Sequence, residues 1–551
     1  MRNDHKRKKD ILQRLLNLFL AKRKFIYLII LIISVSVIYL KTLLPGLGFS
    51  GDTAKFQFIG KVLGVPHAPG YPLYVILNHF FTLIPIKSVA FRANLMSAVF
   101  SVLTLLVLYF FISLLVKKVE ISFFCTLSFA FTYSFWSHSV VAEVYSLNAL
   151  FLALVLFLLT KLYVHKKEIY FYLFLFAYAL SFGNHLTMIT IFPAILAFVI
   201  LVNHKIVFKP RSIILACVAL VIGVGQYLFL YVRTLQNAAY LEQRVYVFKD
   251  FINVITGKQF REKMFAFPPQ EVIFERIPMF FKLLQKEITV IGIILAIVGL
   301  FFLLKKDKKI FILLFFSAIG EIFYFINYNI GDISGYIIPI SLIAIISVAY
   351  GIFGLLGSIK IRFFHVFFYA LPFTIAIYLC SSGFPQFNWK KDVALDKKLT
   401  ALFEYLPPQS IIVTDEYLDM QFVYCKMFVE YSSKEILQFF INSKKDISSQ
   451  LLTRLVLAIK NNKNIQKRFG LEDALKDIKD MRPHLARLRI QYILFNDRSL
   501  QEKLISNMYL LSPNLNMSFK AQNIKTVPFL VSSKKNRKKY VFYKIIFIRQ
   551  D

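Results

Sequence analysis

Long apolar runs alternate with short polar stretches over the first two thirds of the chain. A helix that crosses a bilayer needs about 20 mostly apolar residues. By that measure the spans are 24–44, 93–116, 120–137, 144–163, 168–183, 186–203, 212–232, 288–304, 309–327, 335–356 and 363–381. The pattern therefore predicts a polytopic α-helical membrane protein with about eleven transmembrane helices. Basic clusters punctuate it: the amino terminus, Lys117-Lys118, Lys166-Lys167, Lys205 to Arg211, "KKDKK" at 305–309, and Lys360 with Arg362. They fall on alternate loops. Lys and Arg collect on the cytoplasmic side, so the other face should receive residues 45–92, the turns near 138–143, 183–186 and 328–334, the long loop 233–287, and everything after about 382.

Past residue 382 the pattern changes. Short β-like runs appear, "SIIVT" (410–414), "IQYILFND" (490–497) and "YVFYKIIFI" (540–548), with charged helical stretches such as "GLEDALKDIKDMRPHLARL" between them. This reads as a small C-terminal α/β domain on the non-cytoplasmic side. The expected organisation is a basic cytoplasmic segment 1–23, a membrane domain 24–381 with its first outer loop at 45–92 and a long outer loop at 233–287, and the domain 382–551. The first basic, amphipathic residues lead into an apolar run with no small-residue cleavage site, so the first span reads as a retained signal-anchor.

Composition agrees with the pattern. The 551 residues are 57% hydrophobic and 17% aromatic, with a mean hydropathy of +0.61. Net charge is +35. Such an excess would ordinarily point to nucleic acid, but most of these residues flank apolar runs, where membrane orientation and anionic headgroups account for them. No nucleic-acid partner is expected. Of the four cysteines, Cys125, Cys217 and Cys380 lie in apolar runs, and none has zinc-ligand spacing.

Ionisable groups at membrane depth cost about 2.5–3.5 kcal/mol on insertion scales and mark function. Five lie at the outer ends of spans here: Asp52, Glu143 in "SHSVVAEVYSLNA", His185 in "SFGNHLTM", Arg233 in "YVRTLQN", and Asp332 in "NYNIGDISGYIIP". A topology fixed from Lys and Arg alone brings them to one face. For Asp332 the plainer alternative is a helix N-cap. For His185 it is a turn residue, and for Arg233 an interfacial residue, although a guanidinium at that height also suits a phosphate. Glu143, flanked by apolar sequence, needs a partner or a water-filled cavity. Trp136 and His138 read as interfacial belt residues. The first outer loop, "GDTAKFQFIGKVLGVPHAPGYPLY" (51–74), carries Pro66, Pro69 and Pro72 within seven residues. That fixes three φ angles and suits a segment that presents His67 and Tyr71 in a set geometry.

This loop, with "AEVYSLNALFLAL", "GNHLTM", "YVRTLQN", "VITGKQF" and "YNIGDISGYIIP" in that order, resembles the DUF2723 family, whose eukaryotic member is the TMEM260-type protein O-mannosyltransferase. The likeness runs over roughly residues 25–340 and implies a GT-C-like fold acting on a polyprenyl-phosphate sugar. It implies Asp52 as the acid/base residue, and a donor and acceptor site lined by Glu143, His67, Tyr71, His185 and Arg233. Lys55, Tyr74 and Asp332 would support it. One departure stands out: the family usually has Glu where this chain has Lys55, so the second carboxylate of an Asp–x–x–Glu pair is missing. A metal-dependent mechanism is doubtful on that ground, and no cofactor is expected.

The expected reaction is transfer of a sugar from a polyprenyl- or dolichyl-phosphate donor to an acceptor hydroxyl of a protein or glycan, at the periplasmic face of a bacterial inner membrane (the lumenal face of the ER in a eukaryote). The alternative is a transporter or flippase. Such proteins usually show two related halves with polar groups near the midplane, whereas here the polar groups gather at one face.

Overall fold

The computed structural model describes residues 2–48, 52–359, 362–387 and 394–407, and beyond them 410–414, 425–430, 437–440, 508–510, 524–532 and 539–547, with residues 421, 423 and 433. The chain divides into two compact units. One is Met1–Pro45 with Ile59–Lys391; the other is Gly46–Phe58 with Asp392–Asp551.

In chain order, α1 (Arg2–Thr42) is followed by α2 (Thr53–Phe56), which belongs to the second unit. The first unit continues with α3 (Ile59–Val62), α4 (Pro72–Thr82), α5 (Val89–Val116), α6 (Val119–Ala130), α7 (Tyr133–Ser139), α8 (Tyr145–His165) and α9 (Ile169–Ser181). Next come α10 (Phe192–Asn203), α11 (Pro210–Gly225), α12 (Leu228–Leu235), α13 (Phe248–Ile255) and α14 (Pro269–Glu271). The unit ends with α15 (Ile277–Lys306), α16 (Lys308–Asn327), α17 (Ile338–Ser358) and α18 (Arg362–Gln386).

Nine described helical stretches are long and apolar enough to cross a membrane, and Val119–Ala130 and Ile169–Ser181 are shorter apolar helices. The two short ones fall where the sequence pattern predicts spans 120–137 and 168–183. The first is interrupted at Phe131–Thr132, after which α7 begins a separate two-turn helix. Two of the basic clusters noted in the sequence also end helices. Lys117 and Lys166 take left-handed C-cap conformations after α5 and α8, with their amides on Ser113 O (3.2 Å) and Leu162 O (3.0 Å). A cation there also offsets the helix dipole.

Burial separates centre from edge. Within its apolar stretch the segment Ile333–Ser358, which holds α17, is 89% buried, against 22% for Pro210–Leu235. The α15–α17 contact is close enough that a Cβ on Gly299 would lie 1.8 Å from the Ser347 carbonyl oxygen. Small residues permit such an approach, and it fixes α17 on the inside of the bundle.

The second unit contains α19 (Ala394–Tyr405) and a five-stranded sheet: β1 (Ile411–Thr414), β2 (Leu437–Phe440), β3 (Met508–Leu510), β4 (Ile524–Ser532) and β5 (Lys539–Phe547). Strand order is β2-β1-β3-β5-β4. β1 is parallel to β2 and β3, while β5 is antiparallel to β3 and β4. Pro528 sits in the edge strand β4, where its missing N–H costs least. The C-terminal α/β character expected from the pattern is therefore present. The expected strand at 490–497 and the helical stretch 470–488 lie outside the described residues. Phe58 meets Phe428 at 6.0 Å between ring centroids, and a Cβ on Gly46 would lie 3.0 Å from Asp396 Oδ2. The described residues of 46–58, in the loop after α1, thus pack with the tail.

Candidate functional site

The rigid turn in the loop after α1 is built as its prolines suggest. The Gly70 amide donates to His67 O (2.8 Å), and Gly70 and Tyr71 both have positive φ, 88° and 43°. Gly70 cannot be replaced cheaply: its φ disfavours other residues, and a Cβ would lie 2.7 Å from the Leu230 side chain. Below the turn, Val65 and Ala68 pack on Tyr227, Leu230, Val245 and Val254. The Val65 amide and carbonyl pair with Tyr240 O (2.9 Å) and Glu242 N (2.8 Å), tying the turn to the loop that follows α12. A left-handed tyrosine costs about 1 kcal/mol or more. Pro72, opening α4, and this packing hold it there.

The result is a cluster of rings. His67 Nε2 lies 3.2 Å from the Tyr71 hydroxyl. Tyr71 faces His185 at 6.1 Å between centroids, and His185 also meets Tyr145 (5.8 Å) and Tyr336 (5.6 Å). Residues from turns more than 40 positions apart in the chain therefore converge. His185 Nδ1 accepts the Thr187 amide (3.3 Å), which leaves the proton of the neutral ring on Nε2. Burial, and then the nearby His67, push the His185 pKa down to about 4. It can offer an anion an N–H at neutral pH, but not a positive charge.

A second pair lies against the same cluster. His138 Nε2 is 3.9 Å from Asp332 Oδ1, and the His138 ring meets Tyr145 at 4.9 Å. At that separation the contact is ionic rather than a hydrogen bond. Burial lowers the His138 pKa, but Asp332, Glu143 and the Ser134 carbonyl together outweigh it, so the net shift is upward. Burial acts on Asp332 too, and there the opposing pull of His138 and Ser334 prevails, so its carboxyl is held down. Asp332 makes no side-chain cap at the turn it precedes and instead accepts from Ser334 Oγ (2.9 Å). The N-cap alternative gives way to the ion pair. The interfacial reading of Trp136 and His138 is corrected as well: both are buried, and Trp136 Nε1 donates to Thr42 Oγ1 (3.1 Å).

Glu143 is only 4% exposed. Its amide donates to Ser97 Oγ (3.1 Å), and the preceding amide, Ala142 N, donates to Asn94 Oδ1 (2.9 Å). Asn94 and Ser97 thus hold the loop that carries Glu143. Sequence reasoning missed them, although two polar residues one turn apart in an apolar helix are a readable signal. The buried Tyr74 phenol is pushed well above its ordinary pKa by burial and then by the Glu143 charge, which places the two near each other. Arg233 is used differently. Its Nε and Nη2 donate to Leu63 O (2.7 Å) and Val62 O (3.0 Å) at the end of α3, and Nη1 donates to Gln236 Oε1 (2.5 Å).

Asp52 and Lys55 lie in the second unit. Asp52 opens α2, and Lys55 Nζ pairs with Asp52 Oδ1 at 3.0 Å. The Lys55 side chain is fully buried and that of Asp52 is 39% exposed. Gln57 braces the segment through Gly46 O and Gly48 N, both at 3.3 Å. Lys55, where the resemblance led to the expectation of a second carboxylate, is thus the counter-ion of Asp52. Among the described residues, no three His, Cys, Asp or Glu side chains gather as a metal site needs.

Residues 52–207 match the family model described as protein O-mannosyl-transferase TMEM260 N-terminal domain. The chain is similar in sequence to the TMEM260 proteins. It is 24% identical over 335 residues to protein O-mannosyl-transferase tmem260 of Dictyostelium discoideum, covering 56% of this chain and 41% of that one. It is 34% identical over 132 residues to protein O-mannosyl-transferase TMEM260 of Mus musculus, covering 23% and 18%. The chain thus spans less than half the length of these curated relatives. Two solved structures of ArnT from Cupriavidus metallidurans share the fold at 10% identity, covering 94% of this chain and 97% of that one. The form bound to undecaprenyl phosphate superposes with a TM-score of 0.57 and the apo form with 0.55. The GT-C-like helical membrane fold expected from the sequence is the fold observed.

Proposed function

We propose that this protein is a membrane glycosyltransferase that moves a sugar from a polyprenyl-phosphate carrier to an acceptor hydroxyl at the non-cytoplasmic face. One observation carries the reading: on an ArnT-like fold, turns distant in sequence bring His67, Tyr71, His138, His185 and Asp332 into one polar cluster, buried at Tyr71, His138 and His185 and open to the surface at Asp332. The relatives named protein O-mannosyl-transferases, and the undecaprenyl phosphate in ArnT, support the substrate class.

In this mechanism the resemblance alone, not the geometry, makes the Asp52 carboxylate the group that takes the acceptor's proton. The acceptor oxygen bonds the anomeric carbon as the bond to the carrier phosphate breaks. The phosphate leaves as an anion, and the sugar inverts. His138, made more basic by Asp332, supplies positive charge to the departing phosphate, and His67, Tyr71 and His185 supply hydrogen bonds. Glu143 orients sugar hydroxyls, and Arg233 holds the first outer loop rather than the phosphate.

The test uses the full chain in nanodiscs with polyprenyl-phosphate sugars and hydroxyl acceptors. Asp52→Asn should abolish transfer while leaving the protein folded and expressed, with a lowered thermal midpoint. Full activity in that variant sinks the assignment of the base.

A further inference from the structure

We propose that Glu287 is a positioning residue: from α15 it clamps the first turn of α7 and so sets the place and tautomer of His138. The proposal rests on the reading above, in which His138 serves the transfer.

Glu287 is 1% exposed. It lies two residues before Thr289, where α15 breaks with a left-handed φ of 65°. Its carboxylate accepts the Ser134 hydroxyl at 2.6 Å, and each of its oxygens lies 3.1 Å from the Ser134 amide. Ser134 is the second residue of α7. The N-cap, Thr132, does not cap its own helix, because its hydroxyl turns back to Phe129 O (2.9 Å). The cap comes instead from a side chain 153 residues away. A carboxylate suits an α7 amide for the reason that acidic residues suit helix starts.

Helix α7 has only seven residues and could not hold its own shape in isolation. Its last turn carries His138. The Ser134 carbonyl takes His138 Nδ1 at 2.8 Å, so Nδ1 bears a proton and Nε2 is the nitrogen that faces Asp332. Ser134 is therefore shared, with its amide and hydroxyl on Glu287 and its carbonyl on His138. A buried carboxylate is costly to keep, and a simple cap needs only a neutral hydroxyl or amide. What a carboxylate adds, when ionised, is negative charge behind the histidine. The ionisable groups that face His138 among the described residues include Asp332, Glu143, Glu287 and Tyr145, whose ring lies 4.9 Å away, and Ser137 Oγ lies 3.2 Å from its Nδ1.

Two measurements on the full chain in nanodiscs decide it. The first is epistasis on transfer. Glu287→Gln should lower kcat roughly ten- to hundredfold with the donor KM within about twofold, and should cost nothing further in a His138→Gln background. Equal losses in both backgrounds, or a loss confined to KM, overturn the proposal. The second needs no activity: hydrogen–deuterium exchange at the His138 ring C2, followed by mass spectrometry across pH. Glu287→Gln should move the His138 midpoint to lower pH, and an unchanged midpoint overturns the proposal. Ser134→Ala keeps the amide cap and the carboxylate, so it should fold and show a smaller shift in the same direction if Glu287→Gln fails to fold. If the wild type transfers no sugar, the proposed function fails while the exchange data still decide whether Glu287 governs His138.

Discussion

Two ion pairs of this chain, one in each unit, make opposite choices. Asp52 and Lys55 sit three residues apart on one helical turn at 3.0 Å. His138 and Asp332 come from elements almost 200 residues apart and stand 3.9 Å from each other. An ammonium–carboxylate pair keeps its charges across the neutral range, whereas an imidazole–carboxylate pair does not. The first is a permanent arrangement written into local sequence. The second is assembled by tertiary structure and responds to pH. The transfer proposed above would use both kinds of group: a carboxylate as base, and a cation whose strength the fold can tune.

The sharpest way to break the contrast is to neutralise each pair in turn. Asp52→Asn should reduce transfer by about 10²–10⁴-fold, the usual worth of a general base. Because Asp52 is partly exposed, the cost to stability should fall short of the about 3–5 kcal/mol seen when a fully buried pair is broken. If transfer in Asp52→Asn stays within a few-fold of wild type, the permanent pair is merely structural and the two pairs exchange roles.

The pH-sensitive pair has a smaller, signed signature. The His138 pKa is raised, so its contribution to stability is complete below the ordinary histidine range and fades as pH rises through the raised value. The Asp332 pKa is lowered, so its contribution holds above the ordinary aspartate range and fades as pH falls through the depressed value. Transfer that needs protonated His138 should decline on the alkaline side. In Asp332→Asn that decline should begin at lower pH, because burial then acts on the imidazole with less opposition. A pH–kcat profile unmoved by the substitution would remove His138 from the mechanism.

His185 behaves in reverse. Its pKa is depressed to about 4, so between there and about 6.5 the unfolded chain binds more protons than the folded one. Folded stability should therefore fall by up to about 1.4 kcal/mol for each pH unit lost in that window. Thermal midpoints in detergent between pH 7 and pH 4.5 check this, and His185→Gln should flatten the slope. A slope equal to wild type in that variant would assign the acid sensitivity elsewhere.

What the sequence revealed follows the same division between local and tertiary. Spans were legible because about 20 apolar residues in a row admit one reading, and the phase of the lysines placed Glu143, His185 and Asp332 on one face. The pairing of Lys55 with Asp52 is legible too, since residues three apart on a helix are neighbours. The burial of Trp136 and His138 was not legible, because a Trp and a His just beyond an apolar run look alike whether they meet lipid or fold back as α7. Glu287 was hidden for a related reason. Counted as the end of the long outer loop, it sits inside a helix that starts at Ile277. The packing of residues 46–58 with the tail was out of reach as well, since more than 300 residues separate them.

Arg233 tests where that boundary lies. Sequence and resemblance put it at the phosphate, whereas its observed bonds go to the Val62 and Leu63 carbonyls and to Gln236. A guanidinium spans two adjacent carbonyls as a planar fork, which a lysine ammonium cannot do. Arg233→Lys keeps the charge and loses the fork. If Arg233 is a structural tie, the variant should lose about 1–2 kcal/mol of stability and a few-fold in kcat, with donor KM unchanged. If it is a phosphate ligand, stability should hold while donor KM rises about tenfold or more. The geometry favours the first outcome: the arginine stiffens the backbone between α3 and the His67–Pro72 turn, so its effect on chemistry passes through the placement of His67 and Tyr71.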